Sequence, residues 1–146
     1  MFLKRKLFII SILSLFYTST LFGNYAFKKK IKEVCKSYRI TIESSQLALG
    51  ESEVIITMES GRNNFEMYML VGFASAGQAI THQKDMNLSN AYIPLMVSLN
   101  VAVPASKDEF NTFNASCSSE MAISLANGSM DSSEFMQEIM KNMKIQ

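Results

Sequence analysis

Apolar positions in the chain recur at two periods, and the switch between them marks out the elements. Phe27, Ile31, Val34, Cys35 and Tyr38 fall at helical spacing with lysines around them, which predicts a short amphipathic helix over 27–38. Ile40-Thr41-Ile42 reads as a brief strand before the break at Ser44-Ser45. After Gly50-Glu51-Ser52, the run Val54-Ile55-Ile56-Thr57-Met58 is β-branched and nearly continuously apolar, the pattern of a strand covered on both faces. Ser60-Gly61-Arg62-Asn63 closes it as a turn.

Later segments open with a shared device, a polar capping residue followed three positions on by Glu. Asn63 with Glu66, Ser106 with Glu109 and Asp131 with Glu134 all fit it. The cap accepts from a free backbone N–H of the first turn, while the Glu favours the positive helix end, together worth about 1 kcal/mol. The first of these helices, over 64–85, carries Phe65, Met69, Phe73, Ala76 and Ile80, and Met67, Leu70, Val71 and Ala74 make it apolar all round. That composition places it at the centre of the fold. The second, over 107–127, aligns Phe110, Phe113, Cys117, Met121 and Leu125 and stops at Asn127-Gly128. The third, over 132–144, carries Phe135, Ile139, Met140 and Met143.

Between Pro94 and Pro104 the period changes to two. Leu95, Val97, Leu99, Val101 and Val103 alternate with Met96, Ser98, Asn100 and Ala102, so this strand has one face in the core. A strand, a helix and a second strand in succession predict a parallel pair joined by a crossover over 64–85. The expected fold is a small single α+β domain, with helices packed on a sheet of two to four strands that contains this strand-helix-strand unit. The alternative is a mostly α bundle in which residues 53–59 continue a helix.

The N-terminal residues belong to a different class. Lys4, Arg5 and Lys6 precede an apolar run from Leu7 to Phe16 and the polar Tyr17-Thr18-Ser19-Thr20, the arrangement of a secretory signal peptide over 1–23. Candidate cleavage points follow Gly23 and Ala26, neither with a small residue two positions earlier. An uncleaved anchor is the alternative, because Leu7 to Phe27 is long enough to cross a bilayer. On either reading residues 24–146 form one exported domain, periplasmic or secreted, or else tethered to the membrane by its leader.

Charge changes the picture more than composition does. The formal net charge of +1 is a sum of unlike parts. Residues 24–39 carry Lys28, Lys29, Lys30, Lys32, Lys36 and Arg39 against Glu33 alone, a net of +5, while residues 40–146 carry five basic groups against twelve acidic ones, a net of −7. A basic helix therefore precedes an acidic body, and bulk nucleic-acid binding is not expected. Lys28, Lys29, Lys30 and Lys32 are the candidate contact with a protein partner or an anionic envelope surface.

The remaining chemistry is sparse. Cys35 and Cys117 are the only cysteines, and an exported context permits a disulfide between them. Eleven methionines invite a thioether copper site, best placed at the i, i+4 pair His82 and Met86, since soft sulfur ligands select Cu(I) and His82 is the only histidine. Met136, Met140 and Met143 are explained by the amphipathic helix they sit on, and Met67 and Met69 as gap-fillers in an apolar stretch. Gly72-Phe-Ala-Ser-Ala-Gly77 lacks both the spacing of a nucleophile elbow and the terminal Lys of a phosphate loop. Ser75, His82 and Asp85 share one helix and cannot assemble as nucleophile, base and orienter. Small residues at Gly72, Ala76, Gly77 and Ala79 serve close helix packing instead. Asn87-Leu-Ser89, Asn114-Ala-Ser116 and Asn127-Gly-Ser129 fit the glycosylation triplet, which matters only in a eukaryotic source. No cofactor is expected. The functional expectation is an exported, non-enzymatic binding or assembly protein, with periplasmic Cu(I) handling through Met and His ligands as the alternative.

Overall fold

The computed structural model describes residues 23–87 and 90–146. The leader read over 1–23, apart from Gly23, and Leu88 and Ser89 of the first glycosylation triplet lie outside the described residues. Among the described residues no helix is long and apolar enough to cross a membrane.

Helix α1 covers residues 23–37 and is followed by a 3-10 turn, Ser44–Gln46, and strand β1, Leu47–Leu49. Strand β2 (Glu53–Glu59), helix α2 (Phe65–Asp85) and strand β3 (Met96–Ser106) come next. Strand β4 (Glu109–Ser118), helices α3 (Ser119–Ala126) and α4 (Ser132–Lys141), and strand β5 (Lys144–Ile145) complete the chain. The fold is a small α+β domain, as the hydrophobic pattern implies. Its sheet has five strands in sequence order, because short strands β1 and β5 line the two edges. Only β2 and β3 run parallel, and α2 is the crossover between them.

Register explains which face is the core. Val54, Val97 and Cys117 are paired across three strands, as are Ile56, Leu99 and Ala115, and all six are buried. Helix α2 lies on this face, its Gly72 facing Leu99 and Met58. The opposite face presents Ile55, Ser98 and Ser116 in one row and Thr57, Asn100 and Asn114 in the next. There Asn114 Nδ2 donates to Asn100 Oδ1 at 2.5 Å, and Ser98 donates to Glu53. Strand β2 is thus covered on one face only; Ile55 is half-buried and Thr57 exposed.

Other expectations need correction. The segment read as a helix over 107–127 is β4 followed by the eight-residue α3. Asn111, Thr112, Asn114, Ser116 and Ser118 are poor helix formers, and from Phe113 to Cys117 the inward residues alternate. The Ser106–Glu109 pair taken as a helix cap closes a hairpin: Ser106 Oγ donates to Glu109 Oε2 at 2.9 Å while Asp108 takes the left-handed conformation, φ 64°. The true cap is Ser118, which accepts from the Met121 N–H at 3.2 Å. Asp131 caps α4 as expected, accepting from Ser133 N at 3.1 Å, whereas α2 begins after Asn64, one residue later than its expected cap. Ile40 and Ile42 are buried but form no strand. Tyr38 lies beyond the end of α1 and is 54% exposed, and Leu95 precedes β3 and is 71% exposed.

Candidate functional site

Helix α1 runs antiparallel to α2, with Gly23 beside Gln83 and Cys35 beside Ser75. The apolar stripe of α1, Phe27, Ile31, Val34 and Cys35, is what seats it, because all four side chains are buried. The helical period then leaves Lys29 and Lys30 on the flank facing the C-terminal turns of α2. A cleft of about 330 Å³ opens there, lined by Tyr25, Lys29, Lys30, Glu33, His82 and Met86. It continues past Lys30 and His82 into a hollow of about 250 Å³ that reaches Gln78, Asp85 and Asn127. Two candidate sets that stand about fifty residues apart in sequence, the lysine cluster and the His82–Met86 pair, therefore share one cleft.

Not every lysine of the cluster enters it. Lys28 points the other way, its Nζ donating to the Ser44 carbonyl at 3.5 Å, and Lys32 is half-buried outside the lining. The electrostatics are open-handed: among the described residues the only ion pair joins Lys141 to Glu138 at 2.7 Å, so no α1 lysine has a carboxylate within salt-bridge distance. Lys29 and Lys36 are exposed, and an ammonium without an ion-pair partner keeps its capacity to meet an external anion. His82 and Met86 offer an imidazole nitrogen and a thioether one helical turn apart, the latter at the residue that ends α2. Among the described residues no three or more His, Cys, Asp or Glu side chains cluster to hold a metal ion, so the pair stands as two donors.

The cysteines do not pair. Both are buried free thiols and are not at disulfide distance, contrary to the expected Cys35–Cys117 bridge. The reason is positional: Cys35 turns toward Ser75 of α2, while Cys117 on β4 is bonded toward the backbone at Ala122 of α3. Burial pushes the Cys117 thiol up to about 12 and raises Cys35 as well, the Ser75 hydrogen bond acting weakly in the other direction. Neither thiol is activated as a thiolate. Ser75 is fully buried and its Oγ donates to the Gly72 carbonyl at 2.7 Å, which ties it to its own helix.

Two features escape the sequence patterns. One is Gln83, fully buried between α1 and the segment leading to β3, with Nε2 donating to Gly23 O at 3.1 Å and Oε1 accepting from Tyr92 N at 3.0 Å. A lone polar residue near a helix end carries no signal of burial. The other is an apolar groove of about 520 Å³ along α2, where Tyr38, Met67, Leu70 and Leu125 meet. The all-round apolar composition of α2 predicts full burial, but Met67 on this groove is 41% exposed. Comparison with known protein families, curated proteins and solved structures finds no match.

Proposed function

We propose that this chain is an exported, non-enzymatic binding module that holds an anionic surface of the cell envelope through the lysines of α1. One observation carries the reading: Lys28, Lys29, Lys30, Lys32 and Lys36 share a single helix without an ion-pair partner among the described residues, although the rest of the chain has a surplus of acid. Intramolecular neutralisation was available and is not used. Tyr25, 65% exposed on the same helix, adds the amphipathic ring suited to a headgroup boundary.

Vesicles test this directly. The full chain binds vesicles containing phosphatidylserine or phosphatidylglycerol and not purely zwitterionic ones. Replacing Lys28, Lys29 and Lys30 by Glu weakens binding by on the order of 100-fold, given roughly 1 kcal/mol per basic residue near such a surface. Unchanged binding by that variant sinks the proposal.

A second reading rests on the placement of His82 and Met86 in the same cleft. A thioether and an imidazole one turn apart suit Cu(I) in an exported protein. Titration with Cu(I) under reducing conditions gives one equivalent on this reading, lost in His82→Ala with Met86→Leu. Equal binding by parent and variant removes it.

A further inference from the structure

We infer that the working form of this protein keeps Gly23: neither the Gly23–Asn24 nor the Ala26–Phe27 bond is cut, and any processing falls on the N-terminal side of Gly23. The inference is independent of what the α1 lysines bind.

Gln83 is the starting point. It is the one glutamine that is fully buried, and both ends of its amide are used, Nε2 on the Gly23 carbonyl at 3.1 Å and Oε1 on the Tyr92 N–H at 3.0 Å. A buried amide is stable only while its partners stay. Cutting after Gly23 removes the acceptor and leaves the α-ammonium of Asn24 near the Gln83 NH2, donor facing donor. Cutting after Ala26 is worse, because it puts a new α-ammonium on Phe27. That side chain is fully buried and meets the Tyr92 ring edge-on at 4.8 Å between centroids. A charge placed there is desolvated and also sits at the positive end of α1.

The identity of residue 23 is a separate observation that points the same way. A Cβ at Gly23 lies 2.9 Å from the Asn90 carbonyl oxygen, a contact that real side chains essentially never make. Glycine here is a packing requirement of the folded body. A small residue would also suit a cleavage site, but a leader that is cut off need not seat its last residue against the Asn90 carbonyl as Gly23 does.

The test uses the full chain expressed with its leader in an exporting host, recovered from membrane and soluble envelope fractions. Intact mass and N-terminal sequencing are expected to place the first residue at Gly23 or upstream of it in every fraction. A product beginning at Asn24, Phe27 or later overturns the inference. Limited proteolysis checks the physical cause on the purified protein. With a protease specific for aromatic residues, Gln83→Met raises cleavage at Tyr25 and Phe27 by about tenfold through loss of the clamp, while cleavage at the hairpin residue Phe110 is unchanged. Equal rates at Tyr25 and Phe27 in the parent and Gln83→Met also overturn it.

Discussion

A methyl group added at Gly77 overlaps the backbone carbonyl of Ala122, and one added at Gly72 overlaps the Leu99 side chain. The two collisions differ in kind. Leu99 can change rotamer, whereas the Ala122 carbonyl moves only if α3 moves. Gly72→Ala is therefore expected to cost about 1 to 3 kcal/mol and Gly77→Ala more, in spite of the better helix propensity of alanine; urea unfolding of the two variants measures the order, and a reversed order would contradict this packing. The cysteines give a second expectation at this scale. An unfolded thiol ionises near 9.0, while burial lifts Cys117 to about 12 in the folded state. The native state thus holds a proton that the unfolded state loses, so this contribution is intact below about pH 9 and drains away as pH rises toward 12. Tyr92 acts in the same sense, raised from 10.0 to about 12 by burial and by Glu53. The urea midpoint should fall as pH rises from about 9 toward 12, and fall less in Cys117→Ala. Alkylating reagents should label neither cysteine in the native protein and both in denaturant without a reductant, because both are buried free thiols.

Element ends show where local signals suffice and where they do not. Asp131 caps α4 in the way its spacing from Glu134 predicts, and Asp131→Ala is expected to cost about 1 kcal/mol by thermal or urea unfolding. Helix α1 ends without any glycine. Arg39 takes the left-handed conformation at φ 62°, while Arg39 N bonds Lys36 O at 2.9 Å and Ile40 N bonds Cys35 O at 3.0 Å. Those two bonds are a Schellman closure with an arginine where glycine is the easier choice. Arg39→Gly is accordingly expected to raise stability by up to about 1 kcal/mol, and a loss of stability would mean that the arginine side chain contributes in its own right. Strand β4 is the element where sequence reasoning misleads most. Its Phe110, Phe113 and Cys117 also fit a helical stripe, and its hairpin turn uses Lys107-Asp108, with no glycine to announce it. The pairing of Val97 with Cys117 and of Leu99 with Ala115 decides the matter, a long partner strand lying alongside. Period alone cannot weigh that partner.

For the whole molecule the decisive quantity is the separation of charge. The segment 24–39, helix α1 with its closing turn, carries a net of +5 and sits on a body of net −7, with one ion pair among the described residues. Association with an anionic surface through exposed ammoniums is screened by salt, with a Debye length of about 10 Å at 0.1 M and about 3 Å at 1 M. Binding to anionic vesicles is expected to drop at least tenfold between these conditions; binding insensitive to salt would point away from the lysines and toward the apolar groove beside Tyr38 and Met67.

The sequence by itself determined which segments could carry apolar faces: α2 almost to the residue, the parallel partners β2 and β3, the cap of α4, and the charge division between α1 and the rest. These are local properties, set by spacing, propensity and composition. Only the tertiary structure decided which face of β2 is covered, that residues 109–118 extend instead of coiling, that Cys35 and Cys117 stay apart, and that Gly23, Gln83 and Tyr92 lock together. It likewise brought Lys29 and Lys30 to His82 and Met86. Each of those depends on which residue lies opposite across a strand or helix boundary. That choice is set by burying apolar faces against one another while pairing buried polar groups across the chain, and no window of neighbouring residues contains it.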